Sequence, residues 1–255
     1  MKACFDRHCR SVSFTLCSGF LKKASSAMGG KIWATYNWGA NKPDEADAAG
    51  VPFIPMLWGP KTFDDWGVVK KGYAKAALGC NEVNQNGQAQ MSVSDGVAAW
   101  KKYLAPLIDD GYTLYSHSVS NAPSGLEWWD SFKDQCAECH NQIGAMAVHY
   151  YSNSADGMIA YLEEVHSRYG KNLVVTEFGC ANWSGQGAVS DGCSQSETEA
   201  FYRTVTAYMD KSGFVVGYLG FGFFTTSDPS GGVPSANAFY NGDGSFTDVG
   251  KAYAY

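Results

Sequence analysis

The sequence has no uninterrupted run of 18 apolar residues, so it offers no segment that predicts a membrane-spanning helix. Charged residues are scarce, at 17%, and acidic residues outnumber basic ones, which gives a formal net charge of -6. Because an acidic surface repels phosphate backbones, nucleic acid is not an expected partner. No GxGxxG or GxxxxGK[ST] motif follows the first apolar run, which argues against the common nucleotide-binding folds.

What the sequence has in quantity is apolar and aromatic residues. Apolar residues make up 45% of the 255 positions, which is enough for one domain with a substantial core. The chain also contains 8 Trp, 15 Tyr and 14 Phe. Aromatic residues beyond the needs of a core suit a ligand with flat, apolar faces, and sugar rings have such faces.

The N-terminal segment, residues 1–28, differs in composition from the remainder. Its first 27 residues carry five basic groups and one acidic group. Within them, a basic stretch, 1–10, precedes a moderately apolar stretch, 12–21, and the small residues Ser25, Ser26 and Ala27. This layout predicts a signal peptide, although Lys22 and Lys23 interrupt it. A disordered tail or a wrongly assigned start is the alternative, and in either case the predicted catalytic domain spans residues 29–255.

Eight cysteines are present, and cleavage after residue 27 would leave five of them. We predict two local disulfides, Cys136–Cys139 and Cys180–Cys193, with Cys80 as a buried free thiol in an apolar strand. A redox or zinc motif at Cys136 and Cys139 is the alternative, but no second CxxC pair accompanies it.

Apolar runs alternate with amphipathic stretches from residue 31 to the end. This pattern predicts an α/β fold with a parallel sheet covered by helices, in which Ser94 and Ser196 cap two of the helices. A (β/α)8 barrel requires eight strands, so a short degenerate strand is expected near residues 44–50, and an open doubly wound sheet is the alternative. The predicted strands are 32–38, 51–58, 76–82, 112–119, 145–151, 173–179 and 214–224, and the predicted helices are 62–75, 94–109, 126–132, 154–169 and 196–212.

Two carboxylates follow apolar strands at the ends where a barrel carries its active site. Glu82 ends the strand 76–82, and Glu177 lies near the end of the strand 173–179. Glycoside cleavage requires one carboxyl group to protonate the leaving oxygen and another to meet the oxocarbenium-like transition state. A strand-end ion pair with Lys or Arg is the alternative interpretation of each residue.

Six segments in order resemble glycoside hydrolase family 128, the fungal glycosyl hydrolase core typified by alkali-sensitive linkage protein. The resemblance runs from about residue 31 to residue 255. The matching segments are 33–39, 53–59, 78–82, 136–139 followed by 147–151, 175–180 and 244–253.

This resemblance implies a (β/α)8 TIM barrel that hydrolyses β-1,3-glucan with retention, through a covalent glycosyl-enzyme intermediate, and without a metal or cofactor. It implies Glu82 as general acid/base and Glu177 as nucleophile. The expected protein is secreted or associated with the cell wall, and is a monomer. A wall-binding protein with little turnover and a transglycosylase are the alternatives. The expected substrate-binding residues are Asn81, His149, Tyr151, Trp38, Trp58, Trp128 and Trp183.

The sequence also departs from the family pattern. Val83 and Asn84 follow Glu82 where the family usually has Pro and Asp, and Tyr150 stands where the family has Trp. These changes leave both carboxylates in place, and we expect them to alter loop shape and subsite preference.

Overall fold

The computed structural model describes residues 10–13, 32–183, 189–229 and 232–254. Seven of its strands form one curved parallel sheet in the order β2-β1-β9-β6-β5-β4-β3, which places the last strand beside the first. Two more strands, β7 and β8, form a separate antiparallel hairpin. The strands are β1 Arg10–Ser13, β2 Ile32–Tyr36, β3 Ala76–Leu78, β4 Thr113–Tyr115, β5 Ala145–Tyr151, β6 Asn172–Gly179, β7 Ala181–Trp183, β8 Val189–Gly192 and β9 Val215–Gly220.

Helices separate most of these strands, so the predicted α/β class is confirmed. The α-helices are α1 Asp44–Ala49, α2 Val93–Ala99, α3 Pro123–Gln135, α4 Ala137–Gln142, α5 Ala155–Tyr169, α6 Gln195–Lys211 and α7 Asp248–Ala254. Helix α2 continues as a π-helical turn, Trp100–Leu104, and a 3-10 helix, Ala105–Ile108; further 3-10 helices are Pro60–Val68 and Ser235–Asn237.

The predicted helix caps are wrong by two residues. The hydroxyl of Ser92, not Ser94, accepts the Asp95 N–H, and Ser194, not Ser196, forms a capping box with Glu197. In each case the cap is the serine immediately before the helix, because that position leaves its side chain free to reach a backbone donor of the first turn.

Residues 51–58, predicted as a strand, make strand-like hydrogen bonds without forming a continuous ladder. The Ile54 N–H donates to the Thr35 carbonyl of β2 at 2.8 Å, and the Leu57 N–H donates to the Leu78 carbonyl of β3 at 3.0 Å. Pro52 and Pro55 have no N–H and interrupt the pattern, although their carbonyls accept from β2 and β3. The segment therefore connects the two edge strands of the sheet.

The degenerate strand expected near residues 44–50 is wrong, because this segment forms helix α1. Three acidic residues in its first turn favour the helix, and Gly50, at φ 66°, ends it in the left-handed conformation. An unexpected strand, β1, lies instead within the predicted N-terminal segment 1–28. It pairs with β2 on one side and β9 on the other, so these four residues belong to the sheet rather than to a tail.

Both predicted disulfides, Cys136–Cys139 and Cys180–Cys193, are present. The first joins the end of α3 to α4, and the second connects the residue that follows β6 to the residue two positions before α6. The zinc interpretation of Cys136 and Cys139 therefore lacks its thiolate ligands. Cys80 is a buried free thiol as predicted, and burial raises its thiol pKa.

Two apolar clusters lie on opposite faces of the sheet. The larger fills the space between the sheet and the helices. The smaller takes alternate residues of several strands, including Ala34 and Tyr36 of β2 and Ala145 and Ala147 of β5, as the two-residue repeat of a strand requires. Among the described residues, none of the helices is both long and apolar enough to cross a membrane.

Candidate active site

The candidate site lies at the carboxyl ends of the parallel strands, where ligands bind in open and closed α/β folds. His149 and Tyr151 end β5, and the register of β5 on β6 pairs His149 directly with Glu177. Glu82 lies in the loop that follows β3, four residues after the strand ends. The register shifts between Val148 and His149, and this irregularity marks the point where the site begins.

Three donors hold the carboxylate of Glu177, which is only 7% exposed. The indole Nε1–H of Trp38 donates to Oε1 at 2.7 Å, and the Tyr151 hydroxyl donates to Oε2 at 2.9 Å. The Tyr36 hydroxyl lies 3.2 Å from Oε1 and 2.9 Å from the Thr176 carbonyl, so it shares its proton between the two. These contacts fix both oxygens of Glu177.

His149 lies between the two carboxylates and is completely buried. Its Nδ1 is 3.0 Å from Oε1 of Glu82 and 3.6 Å from Oε2 of Glu177. Burial alone lowers the pKa of His149, but the charge of Glu177 and the hydrogen bond and charge of Glu82 outweigh it and raise the pKa above its usual value. Because an ionised Glu82 carboxylate can only accept, the 3.0 Å contact assigns a proton to Nδ1.

Burial also raises the pKa values of the two groups that face His149, Glu177 and Tyr151. Loss of solvent raises the pKa of Glu177, and the charge of Glu82 adds to this, whereas the charge of His149 and the donors Trp38 and Tyr151 oppose it. Burial, followed by the charges of Glu177 and Glu82, raises the pKa of Tyr151 well above its usual value. Tyr151 consequently remains a neutral hydroxyl donor across the working pH range.

Two residues of the site have strained backbones. Trp38 and Glu82 have φ values of 55° and 42°, in the left-handed region that residues other than glycine rarely adopt. Such conformations persist only where the surrounding structure holds them, and they are frequent at functional sites.

One donor atom from each of Glu82, His149 and Glu177 lies within 4.8 Å of the other two. A divalent cation is held by ligand atoms at comparable separations, but it would require the Nδ1 lone pair of His149. In this structure Nδ1 instead faces Oε1 of Glu82 at a hydrogen-bonding distance of 3.0 Å. The arrangement therefore suits proton transfer and nucleophilic attack better than metal binding.

Of the other predicted substrate-binding residues, two tryptophans keep part of their rings open to solvent and one asparagine is buried. Trp183 is 38% exposed and its ring centroid lies 6.1 Å from that of Tyr151, while Trp58 is half-buried against the smaller apolar cluster. Asn81 is buried and donates its amide to the Gln88 side chain at 3.0 Å, and its Oδ1 contacts no polar partner among the described residues.

Trp128 does not contribute an open stacking face. Its ring is buried in the larger cluster, stacked on Phe132, and its Nε1–H donates to the Met91 carbonyl at 2.9 Å. A stacking platform must expose one flat face to the ligand. Helix α3 turns the Trp128 indole toward the core, which argues against stacking, and the role of Trp128 as a sugar contact stays a prediction.

Sequence reasoning missed Tyr36 and Phe221. Tyr36 precedes Trp38 by two residues, and that spacing places both on one face of an extended chain, so the strand period was the available signal. The Phe221 ring lies 5.6 Å from that of Trp38 and 6.1 Å from that of Tyr151, so it packs against two of the three donors to Glu177. Nothing in the sequence distinguishes Phe221 from its apolar neighbours.

Val83 and Asn84, which replace the usual Pro and Asp of the family, hold the Glu82 loop through hydrogen bonds. The Val83 N–H donates to the Ser118 carbonyl at 3.1 Å, a bond that proline cannot make. The amide Nδ2 of Asn84 lies 3.0 Å from the hydroxyls of both Ser120 and Ser124. Both residues therefore connect the Glu82 loop to the segment that follows β4.

A family model described as the glycosyl hydrolase catalytic core matches residues 13–253. The chain belongs to this family. It is also 25% identical, over 177 residues, to alkali-sensitive linkage protein 1 of Schizosaccharomyces pombe, a match that covers 69% of this chain and 32% of that protein. The chain thus spans about a third of the length of this curated relative.

Solved structures similar to this glycosyl hydrolase are enzymes of glycoside hydrolase family 128, which confirms the family resemblance. A curdlan-specific exo-β-1,3-glucanase of subgroup III from Blastomyces gilchristii, in complex with glucose, is 28% identical with a TM-score of 0.76, covering 97% of each chain. A subgroup V exo-β-1,3-glucanase from Cryptococcus neoformans has a TM-score of 0.81 at 23% identity, covering 96% of this chain and 98% of that chain.

Proposed function

We propose that this glycosyl hydrolase is a β-1,3-glucanase that acts with retention of configuration through a covalent glycosyl-enzyme intermediate. The observation that carries the proposal is the proximity of Glu82 and Glu177, which bring carboxylate oxygens within 4.8 Å of each other. Retaining enzymes separate their carboxyl groups by about 5–5.5 Å, whereas inverting enzymes need about 6.5–9.5 Å to admit a water molecule.

Each carboxyl group has one role in each half-reaction. In the first, Glu177 attacks the anomeric carbon while Glu82 protonates the departing glycosidic oxygen, so the C–O bond breaks as the ester bond forms. In the second, Glu82 removes a proton from water, which attacks the anomeric carbon and releases Glu177. His149 links the two groups and stabilises negative charge on whichever carboxylate carries it.

The substrate class rests on the similar enzymes, whose names describe β-1,3-glucanases. Trp38, Trp58 and Trp183 remain candidate sugar platforms, and Asn81 remains a candidate contact to a sugar hydroxyl. Of these, Trp183 has the most exposed ring and lies beside Tyr151.

We further propose that residues 53–57 act as the eighth strand and complete a (β/α)8 barrel, because they bond to both β2 and β3. Secretion or cell-wall association is proposed from the two disulfides, since such bonds persist in oxidising compartments. We also propose that the protein acts as a monomer, which size-exclusion chromatography tests.

The variant Glu82→Ala tests the mechanism. An activated aryl β-glycoside of glucose or of a laminari-oligosaccharide has a leaving group that needs little protonation, so its glycosylation should remain fast while hydrolysis of the intermediate stalls. The expected result is a burst followed by slow turnover, which azide accelerates with formation of a β-glycosyl azide. Natural laminarin should show no such rescue. If azide has no effect and both substrates respond equally to the variant, Glu82 is not the acid/base.

A further inference from the structure

Ser118, in the segment after β4, holds the backbone on both sides of Glu82. Its N–H donates to the Cys80 carbonyl at 2.8 Å, and its own carbonyl accepts the Val83 N–H at 3.1 Å. Its hydroxyl accepts the Glu82 N–H at 3.0 Å. One buried serine thus uses all three of its polar groups on residues 80, 82 and 83.

Glu82 needs such support because of its backbone conformation. At φ 42° it lies in the left-handed region, which is unfavourable for a residue with a side chain. The Glu82 N–H is the donor nearest this strained bond, and Ser118 Oγ is its hydrogen-bond partner. Fixing that N–H fixes the direction in which the side chain leaves the backbone, and this direction brings Oε1 to 3.0 Å from His149.

We propose that Ser118 is a positioning residue for Glu82, whose hydroxyl holds the carboxyl group in line with the glycosidic oxygen. The inference rests on the proposed role of Glu82 as acid/base. Among the described residues, the hydrogen bonds of the Ser118 hydroxyl go to the backbone of the Glu82 loop and none goes to the Glu82 carboxylate, so Ser118 acts through Glu82 and not on the sugar.

His117 supports the same loop from the other side of Ser118. The Cys80 N–H donates to His117 Nδ1 at 2.8 Å, and Nε2 of the ring lies 3.1 Å from the Gly96 carbonyl. Because Nδ1 accepts, Nε2 carries the proton. Burial lowers the pKa of His117 to about 4, so the ring remains neutral and keeps this tautomer. Residues 117 and 118 together anchor successive backbone groups of the loop.

The test is Ser118→Ala, which removes the acceptor and keeps both backbone bonds of residue 118. We measure kcat/KM on a laminari-oligosaccharide, whose leaving group needs a proton, and on a 2,4-dinitrophenyl β-laminaribioside, whose leaving group needs little. Misplacement of the acid should lower the first value on the order of tenfold to 100-fold and leave the second nearly unchanged. A purely structural role would lower both values by one factor, because it changes only the fraction of folded enzyme.

Ser116→Ala is the matched control. Ser116 is equally buried. Its hydroxyl accepts the Ala147 N–H of β5 at 2.8 Å and donates to the His117 carbonyl at 2.9 Å, so among the described residues it bonds to none of residues 80–83 of the Glu82 loop. It should not change the ratio of the two kcat/KM values. Ser118→Thr restores a hydroxyl and should restore the ratio, whereas Ser118→Cys keeps the volume with a weak acceptor and should shift it as alanine does.

An unchanged ratio in Ser118→Ala and Ser118→Cys, or an equal shift in Ser116→Ala, would overturn the positioning role. Failure of the proposed function is a separate result, because it appears as the absence of azide rescue in Glu82→Ala.

Discussion

The hydrogen bond from Tyr151 to Glu177 should set the acid limb of the pH profile. Tyr151→Phe removes the donor that lies 2.9 Å from Oε2 and keeps the ring in place. Because this donor favours the charged form of Glu177, its loss should raise a pKa that burial already raises. A hydrogen bond to a charged group contributes about 1.5–3 kcal/mol, and one pKa unit corresponds to about 1.4 kcal/mol. Trp38 and Tyr36 retain the other oxygen, so we expect an upward shift of about one pH unit, at the lower end of this range.

The assay is kcat/KM on laminarin as a function of pH. The nucleophile must be ionised, so activity is lost as pH falls through the pKa of Glu177 in the free enzyme. In the variant this loss should begin at a higher pH, and the deficit relative to the parent should grow toward acid. Tyr150→Phe is the control, since the Tyr150 hydroxyl interacts with Ser152 and not with Glu177. An acid limb that stays in place in Tyr151→Phe, or moves to lower pH, would refute the reasoning.

Three further outcomes are expected. Glu177→Gln should abolish turnover and leave the melting temperature and glucan binding near those of the parent, because its role belongs to the transition state and intermediate; a substantial residual rate on laminarin would contradict the assignment. Proton NMR of early products should show the β anomer first, and an initial α anomer would contradict retention. Replacing Cys180 and Cys193 by Ser should lower the free energy of unfolding by about 3 kcal/mol without immediate loss of catalysis, as measured by denaturant titration alongside laminarin assays.

The sequence predicted the parts of the fold where burial is continuous. Strands β5 and β6 are mainly apolar and almost continuously buried, as strands inside a parallel sheet should be. Their predicted ends placed His149, Tyr151 and Glu177 together correctly. Segment 51–58 has the same apolar character, but its two prolines have no N–H to donate to a neighbouring strand. A prediction based on apolar residues alone does not take these missing hydrogen bonds into account.

Other features were beyond the reach of a sequence pattern. Strand β1 carries a basic residue and lies in a segment that resembles a signal peptide, so its place between β2 and β9 depends on partners far along the chain. The sequence does not distinguish Trp128 from Trp183. Trp128 is buried and Trp183 is exposed because the elements that carry them are oriented differently. The contribution of Ser118 arises from a contact between residues 36 positions apart.

The left-handed backbone at Trp38 and Glu82 has a consequence for directed evolution. Glycine and asparagine adopt this conformation most readily, so a library screened for thermal tolerance alone should enrich them at positions 38 and 82. The same library screened for glucan turnover should retain tryptophan and glutamate. Positions where the two screens select different residues are those at which this chain loses stability in exchange for activity. One of them, position 82, carries a carboxylate of the site, and the other, position 38, donates a hydrogen bond to the second carboxylate.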